Sequence, residues 1–474
     1  MTKKKKTKQQ EFTKYLSMTI IIISVILLGL TFFINLLPNQ YLLVVFILIG
    51  IIDLIIIKFL LAKSLFKNII GVFLAIIIII IMVLGINYEL STIDFLKKFG
   101  FNSYKTECYN VVVLKDGAFK DIDDLNNKEI GRLTLDNREG LREADKKIGK
   151  KVNFETFEVD DISDLITNLL SQEIDAILLE DAQLEILAEE NQIVYENLAI
   201  IYTIEVELEI KKVGKEVDIT KDAFTIYISG VDTYGSITKV SRSDVNILMT
   251  VNPMTNKILL TSIPRDYYVT LAGINEKDKL THAGIYGIET SLKTIENLLD
   301  IEINYYVKVN FSSLIKIVEA LNGIKVNSAY DFTTIDGYTF KKGINTLNGE
   351  EALSFSRERK AFLEGDRIRG ENQTRVLSAI IEKVTSPTII TNYNNLLKAL
   401  SGSFITNLDD SKIKEFIKKQ ISNPSSFVVA SISLNGTDSS NYTYSYKKNK
   451  LYVMEPRLDS IESAKNEIME ILSN

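Results

Sequence analysis

Three residue types are almost missing from this chain of 474 residues, which has one cysteine, one histidine and no tryptophan. Cys108 has no second cysteine to pair with, so an intrachain disulfide is excluded. His282 and Cys108 alone are too few ligands for a zinc site of the His/Cys kind. The formal net charge of −6 and the isoelectric point near 5.3 argue against bulk electrostatic binding to nucleic acid.

The N-terminal part of the chain predicts a membrane anchor. Behind a lysine-rich start, Asp53 is the only charged residue between Tyr15 and Ile57, and a further apolar run covers 69–86. A membrane-crossing helix needs about 20 apolar residues. The sequence therefore predicts a cytoplasmic basic tail at 1–15 and three transmembrane helices within 16–90, at about 16–37, 41–62 and 69–88.

The placement of the lysines predicts the orientation of these helices. Residues 3–6 and the group Lys58, Lys63 and Lys67 mark the cytoplasmic sides. Three crossings then place everything after about residue 88 outside the cytoplasm. Asp53 is either a functional carboxylate within a span or a carboxyl that neutralises itself or pairs with a nearby lysine.

The rest of the chain predicts two α/β domains. Within 100–212, strand-like runs such as Asn110–Leu114 alternate with helix-like stretches such as Ile162–Ser171, which indicates a small accessory domain. It contains no metal-ligand cluster or phosphate loop, so we expect a structural or regulatory role. The second domain, 218–474, opens with the strand Phe224–Ser229 and alternates strands with helices, which predicts an α/β/α sandwich. The predicted fold class is therefore α/β after three N-terminal transmembrane helices.

One short segment of the second domain is unusually rich in arginine. The stretch LSFSRERKAFLEGDRIRGENQTR contains Arg357, Arg359, Arg367, Arg369 and Arg375 in an otherwise acidic chain. Arginine binds phosphate oxygens bidentately and stays charged at working pH. Arg357 and Arg359 alternate along a strand-like stretch, so both are expected to point to one side. With Arg242 and Arg265 upstream, the segment predicts a site for a highly charged phosphate ester.

Two other residues of this segment are candidates for the same site. Asp366 stands just before a predicted helix, where it caps the helix, orients the arginines or takes a proton from an attacking hydroxyl. Gln373 lies about two helical turns further on, so it shares a face with Asp366 or Arg369.

Asp232 and Asp244 are candidate metal ligands. Asp232 follows a predicted strand, and Asp244 opens the next strand, two residues after Arg242. Acidic residues at the ends of neighbouring strands can converge on one cation, and such hard oxygen ligands suit Mg²⁺ or Mn²⁺. The alternative is that both are turn or cap residues. His282, as a single histidine, is expected to be a structural hydrogen-bonding residue.

Several stretches, in this order, resemble the LytR–CpsA–Psr family of cell-envelope proteins. They cover most of 224–385 and read GVDT, RSDVNILMTVNP, ILLTSIPRDYYV, KLTHAGIYG, LNGEEALSFSRER and GDRIRGENQ. Three spans followed by an accessory domain are similar to the capsule-associated branch of that family. Two departures stand out: THAG replaces the Asn-His-Ala-Tyr of many members, and Asn372 stands where many have arginine. Both are expected to lower the charge at the rim of the site.

The resemblance implies an α/β/α domain that holds a polyprenyl-pyrophosphate-linked glycopolymer and moves it onto peptidoglycan. Asp232 and Asp244 match the metal carboxylates, and Asp366 and Gln373 match acidic and amide site residues. The matches to the pyrophosphate-binding arginines are Arg242, Arg265, Arg357, Arg359 and Arg369. Among these, Asp366, Arg369 and Arg265 are the predicted catalytic residues. Helices around Leu314–Leu321 and Val376–Ile381 are either walls of a groove for the polyprenyl chain or ordinary core.

The predicted function is that of a membrane-anchored extracellular phosphotransferase. Its donor is a capsule, teichoic acid or similar polymer on a polyprenyl-pyrophosphate carrier, and its acceptor is peptidoglycan. One alternative is a phosphatase or pyrophosphatase that uses water on the same lipid. A membrane-bound transcriptional regulator would need a cytoplasmic DNA-reading module, which the short cytoplasmic parts do not contain. A non-catalytic scaffold that senses ligand through 100–212 is the third alternative.

Overall fold

The computed structural model describes residues 2–98, 104–134, 139–210, 213–232, 236–386, 389–424 and 426–473. Thr233 of the GVDT stretch and the predicted domain limits at 100 and 212 lie outside the described residues. The chain forms two compact units. One contains 1–100, 390–401 and 409–425, and the other contains the remaining residues.

The first unit begins with three helices that are long and apolar enough to cross a membrane: α1 (Thr2–Ile34), α2 (Asn39–Leu60) and α3 (Leu65–Lys98). Their existence confirms the sequence prediction, but α1 and α3 extend beyond the predicted spans. The reason is that lysine, glutamine and glutamate, which flank the apolar runs, are themselves good helix formers. Pro38 stands immediately before α2, as expected for a residue that cannot continue a helix.

The second unit begins with an accessory sheet of five strands in the order β3-β2-β4-β1-β5. These strands are β1 (Tyr104–Leu114), β2 (Lys128–Leu133), β3 (Phe154–Val159), β4 (Ala176–Glu180) and β5 (Leu198–Glu209). Its helices are α4 (Glu139–Gly149), α5 (Ile162–Leu170), α6 (Asp181–Glu190) and α7 (Gln192–Glu196). Successive residues of β1 serve opposite faces: Val112 packs with α5 and α6, whereas Val111 and Val113 pack with α4.

The larger sheet of this unit has six strands in the order β16-β11-β6-β7-β8-β17. The strands after residue 220 are β6 (Phe224–Val231), β7 (Val245–Asn252), β8 (Lys257–Ser262), β9 (Tyr268–Thr270), β10 (Lys277–Lys279), β11 (Tyr305–Asn310), β12 (Ile324–Ser328), β13 (Phe332–Thr333), β14 (Thr339–Phe340), β15 (Gly343–Leu347), β16 (Ile405–Thr406), β17 (Val428–Ser433), β18 (Gly436–Thr443) and β19 (Tyr446–Pro456). The helices are α8 (Ile288–Leu299), α9 (Phe311–Ala320), α10 (Gly349–Arg357), α11 (Gly365–Thr385), α12 (Ile389–Leu400), α13 (Asp410–Ser422) and α14 (Leu458–Ser473). Of these helices, α13 and most of α12 belong to the first unit.

Helices cover both faces of the six-stranded sheet. On one face, Ile295 of α8 and Ile468 of α14 pack with Tyr227 and Leu248 of the central strands. On the other face, α11 crosses β7, β8 and β17, while α9 lies beside β11. Every residue of β6 is buried, as expected for a central strand between two helical layers. The predicted α/β sandwich is therefore confirmed.

Strand pairing brings the predicted site residues to one edge of this sheet. β6 and β7 are antiparallel with Gly230 opposite Val245, so the residue after β6 and the residue before β7 lie at the same edge. These residues are Asp232, just beyond the end of β6, and Asp244. β8 runs antiparallel to β7, so its end delivers Arg265 to that edge as well.

Gly230 is a close-packing position, and its replacement by alanine is predicted to destabilise the protein. A Cβ at residue 230 would lie 2.6 Å from the Cβ of Val245, which is β-branched and fixed in the facing strand. Overpacking of this kind costs about 1–3 kcal/mol, so Gly230→Ala should unfold at a lower temperature than the wild type. Gly149→Ala is the control, because nothing lies within 4 Å of a Cβ there. Equal unfolding temperatures for the two variants would show that β6 and β7 are not tightly packed at this pair.

Candidate active site

A cavity of about 690 Å³ lies between this edge of the six-stranded sheet and helices α9, α10 and α11. The predicted site residues that line it are Asp232, Arg242, Asp244, Arg265, Arg357, Arg359, Arg369 and Gln373. Asp366 does not line the cavity; its Oδ1 atom lies 2.9 Å from Nη2 of Arg369 instead. The structure thus gathers residues that are far apart in the sequence, while Asp366 contacts the site through Arg369.

Asp244 lies at the centre of the charged part of the cavity. Its Oδ1 accepts hydrogen bonds from Nη1 of Arg265 at 2.7 Å and from the hydroxyl of Thr281 at 3.2 Å. Its amide donates to the carbonyl of Gly230 at 2.9 Å, which continues the β6–β7 pairing by one residue. Burial raises the pKa of this carboxyl, but the charges of Arg265 and Arg242 outweigh it and lower the pKa overall. Asp244 is therefore an ionised, buried counter-ion for the arginines.

Arg265 hydrogen-bonds carboxylates through its two Nη atoms, and a third carboxylate lies near its Nε. Nη1 contacts Asp244, Nη2 lies 3.0 Å from Oε1 of Glu189, and Nε lies 3.4 Å from Asp266. Burial lowers the pKa of Arg265, but these carboxylates reverse the effect and raise it. The guanidinium is thus fixed in direction as well as in charge.

Among the cavity arginines with one ion-pair partner, Arg369 is the most deeply buried, with 11% of its side chain exposed. Burial lowers the pKa of Arg369, Asp366 raises it, and the nearby charge of Arg265 lowers it again. Arginine nevertheless stays charged in proteins. Arg369 is therefore poorly neutralised by the protein and well placed to attract an anion.

The prediction that Arg357 and Arg359 alternate along a strand is wrong. Arg357 ends helix α10, and Arg359 lies in the loop that follows. The side chain of Asn348 caps the start of this helix, and buried Phe355 lies on its inner face, so helical rather than strand periodicity applies. Both arginines nevertheless line the cavity.

Arg357 has two partners at the cavity wall. Its guanidinium lies 4.3 Å from the centre of the Phe311 ring, a cation–π contact, and Nη2 lies 3.4 Å from Oδ1 of Asp232.

A second correction concerns Asp366, which stands within the first turn of α11 rather than before it. A carboxylate there interacts favourably with the helix dipole.

Helical periodicity divides the arginine-rich segment between two faces of α11. Arg367 and Arg375 both pair with Glu371, one turn away on the same face, and neither lines the cavity. Arg369 and Gln373, also one turn apart, lie on the face that does line it. The local density of arginine therefore overstates the positive charge of the site.

Sequence reasoning missed two acidic residues that the accessory domain contributes to this cavity. Glu185 and Glu189 of α6 line it, and Glu189 forms ion pairs with both Arg242 and Arg265. Oε2 of Glu185 lies 3.5 Å from Nε of Arg242. Burial opposes ionisation of Glu189, but Arg265 and Arg242 hold its pKa at about 2. The spacing of the two glutamates puts them on one helix face, yet nothing in the sequence reveals where that face docks.

His282 and Asn372 have structural rather than cavity-lining positions. Nδ1 of His282 is buried, 2.7 Å from Oδ1 of Asp278 and 2.8 Å from the hydroxyl of Ser445, as expected for a structural histidine. The buried amide of Asn372 donates to the carbonyl of Phe355 at 3.4 Å. The residue that replaces an arginine of many family members is thus committed to helix packing in this chain.

The wall of the cavity away from the sheet edge is apolar. Leu314 of α9 and Val376, Leu377 and Ile380 of α11 line it opposite Ile228 of β6. Val318 and Leu321, which belong to the same predicted groove, are buried in the protein instead. The cavity thus combines a charged part at the sheet edge with an apolar part between the sheet and the helices.

Asp232 and Asp244, the predicted metal ligands, both line the cavity, and each already pairs with an arginine. Burial raises the pKa of Asp232, Arg357 lowers it, and the negative charge of Asp244 raises it again. A cation between the two carboxylates would relieve both the burial penalty and their mutual repulsion. Within the described ranges, no group of three or more His, Cys, Asp or Glu side chains is placed to hold a metal. Remaining ligands would therefore come from water and phosphate oxygens, which Mg²⁺ favours.

Curated relatives match part of this chain in sequence. TagU of Bacillus subtilis, named a polyisoprenyl-teichoic acid–peptidoglycan teichoic acid transferase, is 42% identical over 200 residues, which are 42% of this chain and 64% of that protein. TagT of the same organism carries the same transferase name and is 34% identical over 277 residues, 56% of this chain and 82% of that protein. The match to TagU thus spans less than two thirds of that relative.

Solved structures and a family profile give the remaining matches. The crystal structure of B. subtilis TagU has 33% identity, covers 54% of this chain and 98% of its own, and has a TM-score of 0.42. The structure of TagT bound to LIIa-WTA has 32% identity, covers 55% and 94%, and has a TM-score of 0.45. The sequence profile of the LytR–CpsA–Psr family matches residues 198–461, more than half of the chain. The protein therefore belongs to the LytR–CpsA–Psr family.

Proposed function

We propose that this protein is a membrane-anchored transferase that moves a phosphate-linked glycopolymer from a polyprenyl-pyrophosphate carrier onto peptidoglycan. The observation that carries the proposal is one cavity in which several arginines and their carboxylate partners adjoin an apolar wall. A polyprenyl pyrophosphate has the matching chemistry, because its head is multiply anionic and its tail is a hydrocarbon. Family membership and the transferase names of TagU and TagT support the same reaction class.

Binding of the donor follows from the two parts of the cavity. The pyrophosphate would lie against Arg265, Arg369 and the other cavity arginines, which offer planar pairs of N–H donors to phosphate oxygens. The first isoprene units would lie against Leu314 and Ile380, where burial of hydrocarbon adds affinity. A free phosphate would make the first set of contacts but not the second.

The proposed reaction is a phosphoryl transfer that needs positioning and charge stabilisation. A hydroxyl of the acceptor attacks the phosphorus that carries the glycopolymer and loses its proton to water, while the bridging P–O bond breaks and polyprenyl phosphate leaves. Guanidinium groups already aimed into the cavity stabilise the charge that develops on the phosphate oxygens without reorganising. Asp366, which contacts Arg369 rather than the cavity, supports this step as a positioning residue.

A bound Mg²⁺ or Mn²⁺ would neutralise further phosphate charge. Asp232 and Asp244 are the residues that would hold it, since both carboxylates line the cavity beside the arginines. The two ligands differ in burial: Asp244 is 9% exposed, whereas 40% of the Asp232 side chain is exposed. Substitution of Asp232 should therefore destabilise the fold less than substitution of Asp244.

For the membrane arrangement, we propose a cytoplasmic N-terminus and an extracellular catalytic domain. The lysines in the first turns of α1 and around the junction of α2 and α3 support this orientation, because positive residues are retained on the cytoplasmic side. An anchor of three helices would hold the protein at the bilayer that contains the lipid donor.

The arginine assignment predicts that Arg369→Ala binds a polyprenyl pyrophosphate less tightly and transfers at least roughly tenfold more slowly. Losing a charge-assisted contact costs about 1.5–3 kcal/mol. Arg369→Lys should recover only part of the loss, because an ammonium cannot form the bidentate fork. Binding and transfer are measured with the purified full-length protein, a pyrophosphate-linked lipid donor and a peptidoglycan acceptor.

Arg375→Ala serves as the control for Arg369, since Arg375 lies on the same helix but pairs with Glu371 outside the cavity. It should behave as the wild type does. Equal behaviour of both variants would mean that the cavity arginines do not bind the donor. Release of polymer into water at the same rate with and without acceptor would favour the phosphatase alternative.

The metal assignment predicts that EDTA abolishes transfer and that added Mg²⁺ restores it. Asp232→Ala should lose this Mg²⁺-dependent activity while keeping nearly the wild-type unfolding temperature, because that side chain is half-exposed. Asp244→Ala should also unfold at a lower temperature, since it removes a buried partner of Arg265. Undiminished transfer in EDTA would sink the metal assignment.

The proposed orientation predicts how a cysteine at position 440 is labelled on intact cells. Ser440 is exposed on β18, so Ser440→Cys should react with a membrane-impermeant maleimide, whereas Thr7→Cys should react only after lysis. The native Cys108 is buried and gives little background. Labelling of Thr7→Cys with protection of Ser440→Cys would reverse the topology.

A further inference from the structure

The accessory domain contacts the candidate active site through a single helix face. Glu189 of α6 pairs with two arginines, Arg242 before β7 and Arg265 after β8. Its Oε2 pairs with Nη1 of Arg242, and its Oε1 lies 3.0 Å from Nη2 of Arg265. One carboxylate thus joins two guanidiniums by its two oxygens. Two oxygens of a phosphate group would make the same pair of contacts.

The remaining partners of Arg265 come from its own domain. Asp244 accepts a hydrogen bond from Nη1 of Arg265, and Asp266 lies 3.4 Å from its Nε, so carboxylates of its own domain already orient this guanidinium without Glu189. On Arg242, Glu189 takes Nη1, whereas Glu185 lies 3.5 Å from Nε, which has no hydrogen-bond partner among the described residues. An anion in the cavity would therefore compete with Glu189 for Nη1 of Arg242 and Nη2 of Arg265, while Nε of Arg242 is open to it without exchange.

Charge favours exchange of this carboxylate for a ligand. Glu189 carries one negative charge, and 34% of its side chain is exposed. Its carboxylate can therefore move into water without crossing an apolar barrier. A pyrophosphate has more negative charge and more acceptor oxygens than a carboxylate, and its remaining oxygens can reach other arginines of the cavity. Both groups cannot use the same N–H donors at once.

We propose that Glu189 is an internal anion of the accessory domain, which occupies the Arg242–Arg265 pair until the pyrophosphate of the donor displaces it. The proposal rests on the proposed function for the identity of the donor, but the competition itself applies to any phosphate anion that uses this pair. It gives the accessory domain a role in the reaction, because binding of the donor releases a contact between the two domains.

Displacement couples the two domains in both directions. If Glu189 competes with the anion, then the anion must equally weaken the docking of α6, because coupling between two binding events is reciprocal. Donor binding should therefore loosen α6, and any partner that draws the accessory domain away should raise the affinity of the site for the donor.

The test compares Glu189→Gln with Glu190→Gln in the full-length protein. Glu190 is the next residue of the same helix and also joins the domains, through Lys279 at 3.3 Å, but it does not line the cavity. Each substitution removes one negative charge at nearly the same place, so the pair separates competition for the arginines from a general change in charge. Affinity is measured for inorganic pyrophosphate and for a polyprenyl pyrophosphate, with unfolding temperature as a check on folding.

Glu189→Gln is expected to bind both probes at least about fivefold more tightly, and Glu190→Gln is expected to match the wild type. Hydrogen exchange of 181–190 should become faster in the wild type when either probe binds. Unchanged or weaker binding by Glu189→Gln, equal tightening in both variants, or slower exchange of α6 on binding would each overturn the proposal. Failure of the polyprenyl probe alone to bind the wild type would count against the proposed function, while inorganic pyrophosphate would still decide the competition.

Discussion

The mutual repulsion of arginines around one cavity is the constraint on which the rest of the site depends. Two unit charges 4 Å apart interact by about 4 kcal/mol at an effective dielectric constant of 20, so guanidiniums gathered without counter-charges would destabilise the fold. Asp244 resolves the conflict for Arg265 because the β6–β7 pairing fixes its backbone beside Gly230. The geometry of an antiparallel pair of strands thus fixes the counter-charge that offsets the repulsion between the arginines.

The strands and the identity of the site residues could be predicted because they depend on local signals. The predicted strand Phe224–Ser229 is the core of β6, and the strand that follows Arg242 begins at Val245, as the pattern indicates. The secondary structure around Arg357 could not be predicted in this way. A two-residue alternation of charge resembles a strand, whereas capping by Asn348 and burial of Phe355 decide for a helix.

Tertiary docking explains what the sequence did not reveal. Glu185 and Glu189 look like ordinary solvent-facing residues of an amphipathic helix, whose other face is buried in the accessory core. Their role depends on where that helix meets the second domain, and no local pattern encodes that meeting. Likewise, the count of arginines in one segment does not say which of them share a helix face, so the separate pairing of Arg367 and Arg375 with Glu371 appears only in the structure.

These contacts change what binding of an anion means for this protein. If the arginines had no carboxylate partners, binding of an anion would simply add negative charge to the site. Here Arg265 is already surrounded by Asp244, Asp266 and Glu189, so a pyrophosphate bound as proposed would have to exchange with a carboxylate at Nη2 of Arg265. Two of these carboxylates belong to the strands and loops that build the site and stay in place, while the third belongs to another domain. Under the proposed exchange, displacement of Glu189 would be the step at which the charge of the ligand changes the contact between α6 and the rest of the site.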